Sequence, residues 1–352
     1  MAKLRILHIS DLHERGEFPD MPTSRAEKLR LDREQRGYVL GPRFLEVLRE
    51  LAADPIDLVC FTGDLTDWGK AEEYEAASIR IDEILRAVNV PRTHFFAVPG
   101  NHDVDRSVEP EAWEELRGWA SASQSREALG RWFRGAAGPP FGVSTTARER
   151  ILERTRAFWV WHRRFRADGS DIRGTNRLGY RVPIQLKGSN GPPIHLIGLD
   201  SAWLCGRDGE QGQLLVTEEQ VLAHIRVGER ALEGYRIALI HHPLDHLADQ
   251  LGVRRLLSDE GVDLLLHGHQ HHPTALSIDE AGLNMRILAA GCLMEGDLGM
   301  GWPNAFNLLE LAPSARSGLV SFRKWSRDGR FWAVGSDLYR SAPRGVLAWP
   351  AP

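Results

Sequence analysis

Short apolar runs recur along the chain, and each ends abruptly in polar residues, often at a glycine or proline. They lie at residues 4–9, 58–61, 94–98, 194–199, 236–240 and 262–266. Runs of this length bounded by turn residues predict buried strands. Between them the apolar positions take helical spacing. Phe44, Leu45, Leu48 and Leu51 share one side of a helix that starts at Pro42, and Ile79, Ile81, Ile84 and Leu85 are the apolar residues of another over 72–88. Further helices are expected over 216–232 and 251–257. Strands alternating with helices predict an α/β class.

Other stretches read differently, and residues 104–177 break the rhythm. Residues 14–41 are charged and contain Pro19, Asp20 and Pro22, so they read as an exposed excursion with one short helix from Ser24 and a solvated face of Lys and Arg. Residues 104–177 hold no convincing strand and many tryptophans and arginines, which suggests a helical cap inserted between two parts of one core, 1–103 and 178–343. Within it Phe158, Trp161 and Phe165 fall on one helix face, as packing onto the main domain requires. The interleaved arginines also suit single-stranded nucleic acid, the weaker reading of the two. Asn190-Gly191 joins the apolar stretches 178–186 and 194–199 as an expected antiparallel pair. Residues 285–288, 306–311 and 319–325 are expected to complete a second sheet, and 344–352 to be a loose tail.

Composition narrows the class. At 352 residues, 42% hydrophobic and 26% charged, the chain reads as an ordinary globular protein. Nothing in residues 1–10 resembles a signal peptide, and no stretch is apolar enough to span a bilayer. Cys60, Cys205 and Cys292 are widely separated, so neither a disulfide framework nor a zinc ribbon is indicated, and a reducing cytoplasm is the expected compartment. A net charge of −4 speaks against a generally basic, nucleic-acid-coating surface. Oligomeric state is not written in these features.

The chemistry collects at the ends of the strands. Asp11 and His13, Gly63-Asp64, Gly100-Asn101-His102-Asp103, His241-His242-Pro243 and His267 to His272 each follow an apolar run directly. Eight of the 14 histidines are found there, and sheet proteins place their sites at strand ends. Alternate residues of an extended segment project the same way, so His269 and His271 pair as ligands, while His267 faces the opposite side and reads as a buried hydrogen-bonding residue. His8, His94, His162, His195, His224 and His246 read as ordinary satisfied histidines.

Taken in order, Asp11-Leu12-His13, Gly63-Asp64, Gly100-Asn101-His102-Asp103, His241-His242-Pro243 and Gly268-His269-Gln270-His271 resemble the signature of calcineurin-like metallophosphoesterases. The resemblance implies a four-layer α/β/β/α sandwich of two mixed sheets carrying two divalent metal ions, and it does not cover the insertion at 104–177. By the same resemblance Asp11, His13 and His271 hold one metal, Asn101, His241 and His269 the other, and Asp64 bridges them. A hydroxide between the metals would then attack phosphorus. His102 would donate a hydrogen bond or proton, with Asp67 orienting its ring. Asp103 is a weaker candidate for that task and Asp200 a supporting carboxylate. His242 and His272 are offered as substrate contacts.

Imidazole and carboxylate donors without cysteine suit manganese, iron or zinc. No arginine follows Asp64 closely, where Leu65-Thr66-Asp67-Trp68 stand instead, a departure from the family's protein phosphatases. The layout is similar to the bacterial phosphodiesterase branch, which implies a small phosphodiester or nucleotide substrate. A metal-dependent nuclease and a non-catalytic metal-binding scaffold are the alternatives.

Overall fold

In a computed structural model, described for residues 3–17, 21–120, 123–166, 169–174, 177–186, 191–280, 283–294 and 302–349, strand β1 (Leu4–Ile9) enters the core directly and is buried at every position. Helices α1 (Thr23–Val39) and α2 (Pro42–Leu51) lead to β2 (Leu58–Phe61), and α3 (Ala71–Ala87) leads to β3 (Phe95–Ala97). Helices α4 (Pro110–Ala120), α5 (Ser123–Arg134), α6 (Ala147–Glu153) and α7 (Arg156–Phe165) follow. Then come β4 (Tyr180–Ile184), β5 (Ile194–Gly198), α8 (Glu218–Ile225), β6 (Arg226–Val227), β7 (Arg230–Ala231), β8 (Tyr235–Leu239), α9 (Gln250–Asp259) and β9 (Leu264–His267). The chain closes with β10 (Thr274–Glu280), β11 (Leu283–Ala289), β12 (Ala305–Ala312), β13 (Ser317–Ser326), β14 (Phe331–Val334) and β15 (Val346–Trp349).

Two mixed sheets result. One runs β14-β13-β12-β1-β2-β3 with β15 also on β13, and the other runs β10-β11-β9-β8-β5-β4. Strands β1, β2 and β3 are mutually parallel, and so are β5, β8, β9 and β11. Alternate residues of the second group divide between two cores, as the two-residue period of a strand demands. Leu196, Ile237, Leu239, Leu264 and Leu266 join the large core with the first sheet. Ile197, Ala238, Ile240 and Leu265 join a second core with Val221 and Ile225 of α8 and Val253 and Leu257 of α9. Strands β5, β8 and β9 therefore carry apolar residues on both faces, the reason their runs do not alternate strictly with polar residues in sequence.

Several expectations are corrected. The excursion at 14–41 carries a long helix, α1, and two of its basic residues are interior: Arg15 is 5% and Arg36 4% exposed. A helix that buries ion pairs leaves no apolar period to read. The helix expected over 216–232 ends at Ile225, because Gly228 at φ 61° turns the chain into the β6-β7 hairpin. The C-terminal strands do not form one sheet: β11 lies parallel to β9, whereas β12 and β13 extend the sheet of β1. The stretch at 344–352 is no loose tail, since β15 pairs with β13 and buries Trp349, although 350–352 lie outside the described residues. Asn190 of the expected Asn-Gly turn also lies outside them, while β4 and β5 are antiparallel.

The insertion is helical among its described residues but does not form one body. Phe158, Trp159, Trp161 and Phe165 of α7 belong to the large core, where Trp161 stacks on Tyr74 and its indole N–H donates to Ser78 Oγ at 2.8 Å. Helices α4 to α6 make a separate cluster with Trp203, Leu204 and Leu215. Arg163 and Arg164 are exposed, but the aromatic faces that stacking on single-stranded nucleic acid needs are buried, which removes that argument for a nuclease.

Candidate metal centre

The carboxyl ends of β1, β2, β3, β8 and β9 meet where the two sheets abut. Backbone bonds from Asp11 N to Gly63 O (3.0 Å) and from Leu293 N to Ser10 O (2.9 Å) fix the loops, and His241 Nδ1–H donates to Thr62 O at 2.7 Å across the sheets. Asp11, His13, Asp64, His269 and His271 all have left-handed backbone, with φ of 55°, 47°, 58°, 69° and 58°. Such conformations cost free energy in non-glycine residues and persist where the surroundings impose them. Here they turn the side chains inward from the strand tips.

Two donor groups form. In the first, Asp11 Oδ1 lies 3.4 Å from His271 Nε2 and 3.9 Å from His13 Nε2, with 3.3 Å between the two imidazoles. In the second, His241 Nε2 lies 3.1 Å from Asn101 Oδ1, 3.2 Å from His269 Nδ1 and 3.2 Å from Asp64 Oδ2. Asp11, Asp64 and His241 also converge, so Asp64 stands between the groups. Nitrogen and oxygen donors gathered this closely suit a cation between them as well as a shared proton. Asp11 Oδ1 is buried with no hydrogen-bond partner, a costly state that a bound metal would relieve. The donor set fits two divalent ions, with Asp11, His13 and His271 toward one, Asn101, His241 and His269 toward the other and Asp64 between.

The electrostatics keep Asp11, Asp64 and His269 in ligating form, whereas at His241 the Asp64 carboxylate outweighs burial and raises the pKa to about 9, a proton that a bound metal would displace. Burial raises the pKa of Asp11, but the neighbouring His271 outweighs it and the carboxyl falls to about 2. Burial opposes ionisation of Asp64 too, yet His241 and His102 hold it well below the usual carboxylate range. Desolvation lowers His269 to about 3, which leaves a neutral imidazole with a free lone pair.

The motif glycines are required by space. A methyl group on Gly100 would overlap Asp64 Oδ1 and stand 2.5 Å from the Asp64 nitrogen, and one on Gly268 would stand 2.6 Å from Asp11 Oδ2. Gly100→Ala is expected to displace Asp64 and weaken metal affinity by roughly tenfold to a hundredfold, as other changes around ligands do. Chelator competition measures it, and unchanged affinity would show that the loop yields freely.

Beside the donors, His102 Nδ1–H donates to the Asp67 carbonyl at 2.9 Å, and Asp67 Oδ1 is 3.3 Å from the same nitrogen. Asp67 Oδ1 is also 3.7 Å from His13 Nδ1, so one carboxylate steadies both rings. Asp103 does something else: it accepts from the nitrogens of Gly100, Leu65 and Thr66 and ties the β2 and β3 loops together. His242 is buried, 2.8 Å from Ser201 Oγ and 3.8 Å from Cys205 Sγ, and packs against His269. His272 is half-buried and stacks on the exposed Trp302. His267 is buried against Gly268 O, and Asp200 caps the turn at Ala202 and Trp203.

Sequence reasoning missed three neighbours. Cys292 Sγ donates to Asp11 O at 3.2 Å and lies with His13 and His271. His246, read as an ordinary histidine, packs edge-on to His269 at 4.9 Å between ring centroids. Arg15 and Arg36 form a buried ionic brace: Arg15 Nε donates to Asp67 Oδ2 at 2.8 Å and its Nη1 lies 2.7 Å from Asp32. Arg36 donates to the carbonyls of Leu12 and His13 and pairs with Asp32. Apart from the i,i+4 pair of Arg36 with Asp32, no local pattern marks these residues, because their other partners come from other elements. Arg36→Met is expected to destabilise the fold by about 3 kcal/mol, the lower end for a broken buried pair because Asp32 keeps Arg15. Urea unfolding measures it, and a change under about 0.5 kcal/mol, the level of ordinary surface substitutions, would make the brace incidental.

Residues 4–273 match the family described as calcineurin-like phosphoesterase. The chain belongs to that family. It is 23% identical over 355 residues to the uncharacterized metallophosphoesterase-like protein YydB of Bacillus subtilis, covering 98% of this chain and 64% of that protein. It thus spans less than two-thirds of that relative's length. A probable glycerophosphodiester phosphodiesterase, GpdQ, of Arcobacter nitrofigilis is 41% identical over 63 residues, 17% of this chain and 20% of that protein. Among solved structures, the purple acid phosphatase PPD1 of yellow lupin is similar with a TM-score of 0.49 and 13% identity, over 92% of this chain and 52% of that one. No helix among the described residues is long and apolar enough to cross a membrane.

Proposed function

We propose that this phosphoesterase hydrolyses small phosphodiesters at a two-metal centre, with α2, α3 and α7 outside one sheet and α8 and α9 outside the other as the outer layers of an α/β/β/α sandwich. The observation that carries the reading is the convergence of seven donors with His102 fixed beside them. When bound, the metal pair supplies positive charge to the phosphate and an activated water as nucleophile. The nitrogen and oxygen donors favour manganese, iron or zinc.

The chain's own residues supply the rest. With Nδ1 committed to the Asp67 carbonyl, His102 has Nε2 left to meet substrate, where it donates a hydrogen bond or proton to the leaving oxygen. Burial opposes its charge, while the Asp64 and Asp67 carboxylates favour it, and Asp67 remains beside the ring to hold the proton that His102 donates. A cavity of about 260 Å3 beside His102, lined by Trp68, Lys70, Arg106 and Asp208 among others, has room for the second substituent that distinguishes a diester from a monoester. Lys70 is already paired with Asp105 at 2.7 Å, so the cavity is not strongly cationic and suits one negative charge better than two. The partial likeness to a probable glycerophosphodiester phosphodiesterase supports the same substrate class.

The test is hydrolysis of bis(p-nitrophenyl) phosphate against p-nitrophenyl phosphate by metal-stripped protein reloaded with manganese, iron or zinc. Metal-dependent preference for the diester is expected. Preference for the monoester would overturn the diester reading, and two bound metals with no turnover of either compound would favour a binding scaffold.

A further inference from the structure

Two histidines outside the donor groups pack on His269, and their surroundings differ. His242 is 1% exposed and has both ring nitrogens placed, Nδ1 2.8 Å from Ser201 Oγ and Nε2 3.8 Å from Cys205 Sγ. His246 meets His269 edge-on at 4.9 Å between ring centroids. It is half-buried, and its ring has no hydrogen-bond partner among the described residues. The backbone around it is held: Leu244–His246 form a single 3-10 turn, His246 N donates to Pro243 O at 3.0 Å, and Leu214 N donates to His246 O at 3.4 Å. A neutral imidazole carries one N–H donor and one acceptor, so this turn presents both from a fixed place.

Burial shows which side of the metal centre is open. Asp11, His13, Asp64 and His241 are buried, whereas Asn101, His102, His269 and His271 keep part of their surface. His246 packs on a donor of the open side. His102 lies against His13 of the first donor group, with 4.6 Å between ring centroids, and His246 lies against His269 of the second. Each donor group therefore has one further imidazole beside it.

We propose that His246 is a second substrate-contacting imidazole, which donates an N–H to a phosphate oxygen beside the second donor group while His102 serves the leaving oxygen. The assignment rests on the phosphoester reading of the site, but not on the choice of diester over monoester, since both carry such an oxygen. A phosphate held by two metals keeps acceptor lone pairs that the cations leave unfilled, and hydrogen bonds to a charged acceptor are the strong ones. Lys70 and Arg106 line the cavity on the His102 side, and His246 is not part of that lining. It supplies a donor where the cavity has none, from a backbone already fixed, so little ordering is left to oppose binding.

The test is calorimetric titration of the manganese-loaded protein with inorganic phosphate, in the wild type and in His246→Ala, His246→Gln and His246→Phe, with elemental analysis of each. Glutamine keeps an N–H donor without the ring, and phenylalanine keeps a ring without the donor. The alanine and phenylalanine proteins are expected to bind phosphate roughly tenfold more weakly, as loss of a hydrogen bond to a charged group implies. The glutamine protein should stay within about threefold of the wild type, and all should keep their metal. In steady state the alanine variant should raise KM and leave kcat unchanged, because the contact is made in the ground state as well as in the transition state. Phosphate affinity kept by phenylalanine and lost by glutamine would make His246 a packing residue, and metal lost from the variants would make it a support for His269. Either result overturns the proposal, as would unchanged affinity in all three or no phosphate binding to the loaded wild type. Preference for p-nitrophenyl phosphate over its diester would overturn the diester reading and leave this one standing. Diester turnover with unaltered phosphate affinity in the variants would do the reverse.

Discussion

An Asp64→Asn protein is expected to lose bound metal and phosphoester hydrolysis together, while its fold survives. Asp64 is 1% exposed, its Oδ2 is 3.2 Å from His241 Nε2, and its Oδ1 accepts the His102 backbone N–H at 2.7 Å. Asparagine keeps the volume and much of the hydrogen bonding but removes the charge that stands between the two donor groups. Two cations so close repel each other strongly unless an anion lies between them. Loss of hydrolysis by more than about a hundredfold is expected, together with metal content falling below two per chain, since changes to the surroundings of ligands alone cost up to that much. Elemental analysis after dialysis and thermal unfolding with a chelator present give the two readouts. Full metal content in the variant would show that Asp64 is not shared, and the donor assignment would have to be redrawn around Asp11.

The second large effect is expected from His102→Ala, which should lower kcat by roughly a hundredfold or more, as loss of a positioned general acid does, with metal content unchanged. The His102 ring lies outside the two assigned donor groups, although with His13 and Asp67 it could itself hold a metal, so a fall in bound metal would contradict its assigned role. A pH profile adds a direction. Burial lowers the pKa of His102 and the Asp64 and Asp67 carboxylates raise it. A raised imidazole pKa favours the acid form, and the activity it supports is lost as pH rises through the folded-state pKa. Asp67→Asn removes one of the two negative neighbours, so the alkaline limb of kcat should move to lower pH relative to the wild type. An alkaline limb that stays in place or moves upward would exclude the Asp67 carboxylate as the group that holds this proton.

The scheme places its burden on loops rather than on helices, and the backbone reflects it. Asp11, Asp64 and His269 keep left-handed φ values where ordinary residues avoid them, and neighbouring glycines leave room for no added carbon. The Arg15 and Arg36 brace sits behind the first of these loops. It offers a physical reason why a charged helix is buried here: the strained turn at His13 has its carbonyls held by a guanidinium instead of by water.

The strands, their ends and the donors on them were legible in the sequence, because a buried strand writes itself as a short apolar run and a turn residue marks its end. Residues 58–61 ending at Gly63-Asp64 are an example, and β2 is Leu58–Phe61. Which strands pair was not legible. Alternation shows that β11, β12 and β13 are strands, but only tertiary packing sent β11 to β9 and β12 to β1, since backbone hydrogen bonds carry no local sequence mark. The same holds for β15, where one buried residue, Trp349, is too little pattern to detect. The supports of the site were hidden for a further reason. Arg15 and its carboxylate partner Asp67 are 52 positions apart, and a lone arginine in a charged stretch has the composition of a solvated surface. Its charge is determined by the sequence; its burial is decided only when the folded loop brings the opposite charge to it.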